Sequence, residues 1–121
     1  MRILIVEDEA ITAMVLSRRM ESLGYSVIGT AASGEQACAL ASSHNPEAIL
    51  MDIGLSGEMD GIEAATRIRQ SLAAPIVFAS GYNTPEITER TLAVSNAAFV
   101  SKPTDPDKIH ASFQQLLAGE R

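Results

Sequence analysis

The sequence predicts an α/β fold in which five short parallel strands alternate with five helices, joined by right-handed crossovers as a (βα)5 array. Three observations predict it. Apolar runs of strand length recur at 3–6, 27–31, 48–51, 76–79 and 97–100, and their near-continuous apolarity marks strands buried on both faces. Between them lie segments whose apolar residues recur every three or four positions, the period of a helix with one face on a core. No repeat, low-complexity tract or linker interrupts the alternation, and 121 residues suit a single domain able to bury a core without disulfide or structural metal.

Each element carries its own signals. The first run, ILIV, ends in Glu7-Asp8. Ala13, Leu16, Met20 and Leu23 then form a helical stripe, which Gly24 can stop because glycine accepts a left-handed conformation. Asp8, taken alone, is well placed to cap this helix. After the second run, Ser33 and Gln36 have capping-box spacing, and the apolar ACALA around Cys38 predicts a buried thiol in a reducing cytosol. His44 ends this helix, where an imidazolium suits the dipole. The third run, AILM, leads into Asp52. Asp60 and Glu63 repeat the capping-box spacing ahead of Ile62, Ala65, Ile68 and Leu72. The fourth run ends at Ser80-Gly81, and Thr84-Pro85 opens a helix whose Thr-rich ITERTLAVSNA lacks a clean stripe, so a short or mobile helix is expected. The fifth run ends at Ser101-Lys102-Pro103, and Asp105-Pro106 opens a helix with Ile109, Phe113, Leu116 and Leu117 on one face. The polar AGER that follows leaves no room for an output domain within this chain.

The charge balance excludes several function classes. Nine basic against fifteen acidic residues give a net charge of -6, which argues against a nucleic-acid or anionic-membrane surface, since phosphate contacts need clustered Lys and Arg. The opening MRILIVEDE is too short a hydrophobic stretch for a signal peptide, and no run reaches membrane-spanning length. With a single cysteine as well, a cytoplasmic location is expected.

In an open parallel sheet the functional crevice lies beyond the carboxyl ends of the strands. Glu7, Asp8, Asp52, Ser80 and Lys102 all fall at such ends. Singly, each has an ordinary explanation: a solvated acid, a helix cap, a turn serine, a lysine snorkelling from a strand. Their conjunction is harder to explain that way. Asp52 is the most demanding, because burying an unpaired carboxylate costs several kcal/mol. Two like charges ~4 Å apart repel by about 1 kcal/mol in water and about 4 kcal/mol at an effective dielectric of ~20. One lysine offsets part of this, so either some pKa values rise as a coupled set or a divalent cation enters. Carboxylate and carbonyl oxygens with no His or Cys suit a hard cation, Mg2+ over Ca2+ because few protein oxygens are offered.

The motifs VEDE, LMD, FASG and SKP at four successive strand ends resemble those of the receiver domains of two-component response regulators, over essentially the whole chain. The resemblance implies a flavodoxin-like, doubly wound sheet of order 2-1-3-4-5. It implies that Asp52 accepts a phosphoryl group from a phosphohistidine of a sensor histidine kinase or phosphotransfer protein, so the chain is a phosphoacceptor assisting its own phosphorylation and dephosphorylation. Asp8, Asp52 and the Gly54 carbonyl would ligate Mg2+, and Glu7 would hold a metal-bound water. Lys102 would pair with Asp52 and then with the phosphoryl group, to which Ser80 would donate its hydroxyl. Phe99, three residues before the lysine, would move with Ser80 as the switch. A downstream protein, or a second copy, would read the fourth helix, fifth strand and fifth helix. A cis Lys102-Pro103 bond is expected.

The chain also departs from the receiver pattern. Ser56 stands where receivers commonly have proline, and GLSGEMDG is one residue longer than usual, which puts the Gly54 ligation in doubt. Ser80 replaces the more frequent Thr, and Glu7 the more frequent Asp. FASGY is similar to the FATGUY-like subset associated with kinases of the HWE and HisKA_2 type. Neither His44 nor His110 has a motif that suggests phosphorylation. A flavin module would need phosphate donors where VEDEA offers three acids, and an aspartyl phosphatase would want Asp-x-Asp there. The remaining alternative is a degenerate receiver that docks proteins without phosphorylation.

Overall fold

The computed structural model describes residues 1–119. In chain order the elements are β1 (Arg2–Val6), α1 (Ala10–Ser22), β2 (Ser26–Ala31), α2 (Gly34–His44), β3 (Ala48–Asp52), α3 (Gly61–Arg69), β4 (Ile76–Ser80), α4 (Pro85–Leu92), β5 (Ala97–Ser101) and α5 (Pro106–Leu117). The sheet is parallel throughout, with strand order β2-β1-β3-β4-β5.

Strand alternation sends successive side chains to two separate cores. Leu4, Val6, Ile49, Met51, Ile76 and Phe78 face one, where Ala37 and Ala41 of α2 and Ile62, Ala65 and Ile68 of α3 cover them. Ile3, Ile5, Leu50 and Val77 face the other, covered by Leu16 and Met20 of α1 and by Ile109, Phe113 and Leu116 of α5. β1, β3 and β4 are almost wholly buried, as apolar runs predict. β2 and β5 are partly exposed instead, because they are the sheet edges and a helix layer cannot wrap around them.

Helix ends follow the local signals closely. The α1 terminus is a Schellman motif: Tyr25 N–H donates to the Met20 carbonyl, Gly24 N–H to Glu21, and Gly24 takes φ 96°. Ser33 accepts from Gln36 N–H, Thr84 from Ile87 N–H and Asp105 from Asp107 N–H, while Asp60 and Glu63 form a full capping box. Asp8 does not cap α1. The N-cap is Glu9, without a side-chain bond, and the Asp8 carboxylate is engaged elsewhere.

One further difference from expectation has a local cause. Cys38 is only partly buried, since α2 and α3 leave a groove beside it, and its thiol sits 3.8 Å from the Ala64 carbonyl. Burial there still pushes the thiol pKa up, opposite to a reactive cysteine. α4 is short, as its Thr-rich sequence predicts: eight residues, with Thr91 buried and Ile87 partly packed on the core.

Candidate functional site

The carboxyl ends of β1, β3, β4 and β5 bring Glu7, Asp8, Asp52, Ser80 and Lys102 to one edge. Glu7, Asp52 and Ser80 are 3%, 5% and 5% exposed, so two carboxylates and a hydroxyl sit inside the protein rather than on it. Lys102 Nζ lies 3.2 Å from Asp52 Oδ1 and 3.4 Å from Glu7 Oε1. Asp52 thus owes its tolerance at the end of a buried strand to a lysine 50 positions away, with a second bond from Gly54 N–H to Oδ1 at 3.0 Å.

Backbone amides hold the other groups. Glu9 N–H donates to Glu7 Oε2 at 3.2 Å, Ser56 N–H to Asp8 Oδ2 at 3.2 Å, and Tyr82 N–H to Ser80 Oγ at 3.0 Å. The Lys102 N–H donates to the Ser80 carbonyl at 2.8 Å, so the end of β5 is tied to the end of β4. Gly61, the first residue of α3, is packed against the Asp52 backbone so closely that a Cβ would meet the Asp52 carbonyl oxygen at 2.0 Å. Only glycine fits there.

The electrostatics reflect three acids sharing one base. Burial, then the neighbouring Asp52 and Asp8, push Glu7 up to about 7, against the lowering effect of the Glu9 amide. Burial also opposes the charge on Lys102, but Asp52 and Glu7 outweigh it and hold the ammonium above its ordinary value. Asp8 is held below the usual carboxylate range: its burial is outweighed by the neighbouring Glu7 and by Ser56, whose amide donates to it. One oxygen from each of Glu7, Asp8 and Asp52 falls within a group spanning 4.8 Å. That all-oxygen set fits a hard divalent cation, which would neutralise the residual acid charge.

Beside the acids, between α1 and Pro103, lies a cavity of about 480 Å³ lined by Ile11, Val15, Asp52 and Lys102 among others. Lys102-Pro103 is cis, as expected. Phe99 pairs with Phe78 across β4 and β5 and is partly packed on the core. His44 and His110 are remote from this edge. The His44 carbonyl accepts from Arg2 at the start of β1, and His110 Nδ1 bonds the Tyr25 hydroxyl just before β2.

The protein family described as response regulator receiver domain matches residues 3–114. The chain belongs to the receiver domain family. Among curated relatives of this receiver domain, the transcriptional regulatory protein PdtaR of Mycobacterium tuberculosis is 35% identical over 102 residues, covering 84% of this chain and 49% of PdtaR. The chain thus spans about half the length of that relative. The chemotaxis protein CheY of Bacillus subtilis is 31% identical, covering 96% of this chain and 97% of CheY. Among solved structures, the signal receiver domain of a modulated diguanylate cyclase from Desulfovibrio desulfuricans superposes with a TM-score of 0.86 at 33% identity, covering 98% of both chains. Receiver domains accept phosphoryl groups, bind Mg2+ at an acidic pocket and work with histidine kinases and downstream targets.

The motif residues read from the sequence do converge. What the sequence did not reveal was the donor side of the site: the Ser56 and Tyr82 amides, and the Arg90–Asp60 ion pair at 2.7 Å that joins α4 to the start of α3. Backbone donors leave no trace in residue type. The tight approach at Gly61 did leave a signal, the glycine directly after a capping aspartate.

Proposed function

We propose that residues 1–121 act as one receiver domain that takes a phosphoryl group onto Asp52 and relays it as a change of shape. The observation that carries this is Lys102 Nζ placed 3.2 Å from Asp52 Oδ1 at a strand edge shared with Glu7 and Asp8. The donor is a phosphohistidine of a sensor histidine kinase or phosphotransfer protein. An Asp52 oxygen attacks phosphorus, the N–P bond breaks, the imidazole leaves with the bonding pair, and an acyl phosphate remains. Mg2+ would be held by Asp8, Asp52 and the Gly54 carbonyl, with Glu7 holding a metal-bound water, and when bound would supply charge neutralisation for the transferring group. Lys102 moves from Asp52 to a phosphoryl oxygen, and the Ser80 hydroxyl donates to another while its oxygen keeps the Tyr82 amide.

The partner surface lies beside the cavity, where Ile11, Met14 and Val15 of α1 are 74%, 49% and 42% exposed. Exposed aliphatic residues next to the acceptor favour a protein donor, and FASGY points to kinases of the HWE or HisKA_2 type in the cytoplasm. Phe99 and Ser80 form the switch, and the α4, β5 and α5 face is read by a target protein or a second copy. Among the described residues no helix is long and apolar enough to cross a membrane.

Incubation with acetyl phosphate and Mg2+, followed by intact mass, tests this directly. A phosphoryl adduct is expected on the wild-type chain and is absent from Asp52→Asn. No adduct on either would favour a docking module that works without phosphorylation.

A further inference from the structure

We propose that the Ser56 amide is a positioning group that aims Asp8 at the cation, a role that rests on reading the acid edge as a magnesium site. Glu7 and Asp52 are buried, and Lys102 contacts both. Asp8 is half-buried, and the donor that reaches it from a distant part of the chain is Ser56, 48 positions away in the loop between β3 and α3. Its N–H lies 3.2 Å from Asp8 Oδ2.

With this bond in place the three acids present oxygens within 4.8 Å of one another, so the contact is compatible with their sharing a cation. A carboxylate has about four lone-pair sites, so accepting the Ser56 amide still leaves sites for a metal. Donors that fix a ligating carboxylate are commonly worth 10- to 100-fold in metal affinity. Ser56 occupies the place where the receiver pattern has proline, which has no N–H to give. Gly57 follows at φ 102°, so the loop turns immediately after delivering the amide.

Coupling of this kind is reciprocal: an amide that favours the cation is itself held more firmly once the cation binds. The test is a calorimetric titration of Mg2+ into wild-type, Ser56→Ala and Ser56→Pro proteins, with amide hydrogen exchange of residue 56 followed in the wild type. Ser56→Pro is expected to weaken Mg2+ binding roughly tenfold. Ser56→Ala, which keeps the N–H, should stay within about threefold of wild type. Exchange of the wild-type Ser56 amide should slow as Mg2+ is added. A Ser56→Pro protein that binds Mg2+ as tightly as wild type overturns the proposal, and so does a Ser56 amide whose exchange stays constant or accelerates. If Ser56→Pro does not fold, the amide exchange decides in either direction. Wild-type protein that binds no Mg2+ would remove the magnesium reading, and this positioning role with it, a result distinct from binding that ignores residue 56.

Discussion

Glu7 shows how strongly a single residue can depend on its neighbours. Burial and the adjacent Asp52 and Asp8 raise its pKa from 4.5 to about 7. Without metal, the folded protein therefore holds a proton that the unfolded chain has lost between those values, and Glu7's contribution to stability is fully present below pH 4.5 and is lost as pH rises through about 7. The effect is on the order of 3 kcal/mol. Urea denaturation of metal-free protein across that range should show the decline. In Glu7→Gln, which keeps the shape of the protonated acid, the decline should be largely absent, and the variant should be more stable than wild type at pH 8. The need for a partner or a raised pKa was legible from Asp52 sitting in AILMD, because an acid at the end of an apolar strand must be compensated. Which acid carries the shift was not legible, since that depends on how deeply each one is buried.

At the scale of elements, the start of α3 ties together the end of β3, its own first turn and α4. Asp60 caps the helix through Glu63 N–H at 2.9 Å and accepts Arg90 of α4 at 2.7 Å, while Gly61 rests on the Asp52 backbone. Asp60→Ala should lower stability by about 1–2 kcal/mol, mostly through the cap. Asp60→Asn, which keeps a capping oxygen but not the charge, should cost less than half of that, as read by urea unfolding. Capping signals at Ser33, Asp60, Thr84 and Asp105 were readable because a cap is a local bond between residues two or three apart. Asp8 misled by the same logic. It has the residue type and place of a cap, but the loop after β3 claims its carboxylate. α4 was readable as weak, having no apolar stripe, and it is accordingly the shortest helix, held to α3 by Arg90 and followed by a loop that Arg69 pins through the Ser95 and Asn96 carbonyls.

For the whole molecule, the strand order places like charges at one end of the sheet, so metal binding and folding are linked. Added Mg2+ should raise the melting temperature, by roughly 10 °C at a concentration 100-fold above Kd. A chelator should reverse the rise, and Asp8→Asn should abolish most of it; an equal rise in that variant would place the ion elsewhere. The sequence by itself determined the alternation of elements, the two-sided burial of the central strands and the residue types at each strand end, because these follow from side-chain period and from chemistry within a few residues. The motif likeness added the strand order. Only the tertiary structure decided that Lys102 bridges Asp52 and Glu7, that Asp8 faces Ser56 rather than α1, and that Cys38 borders an open groove. Those outcomes depend on distances between residues tens of positions apart, which are set when helices and strands pack against one another.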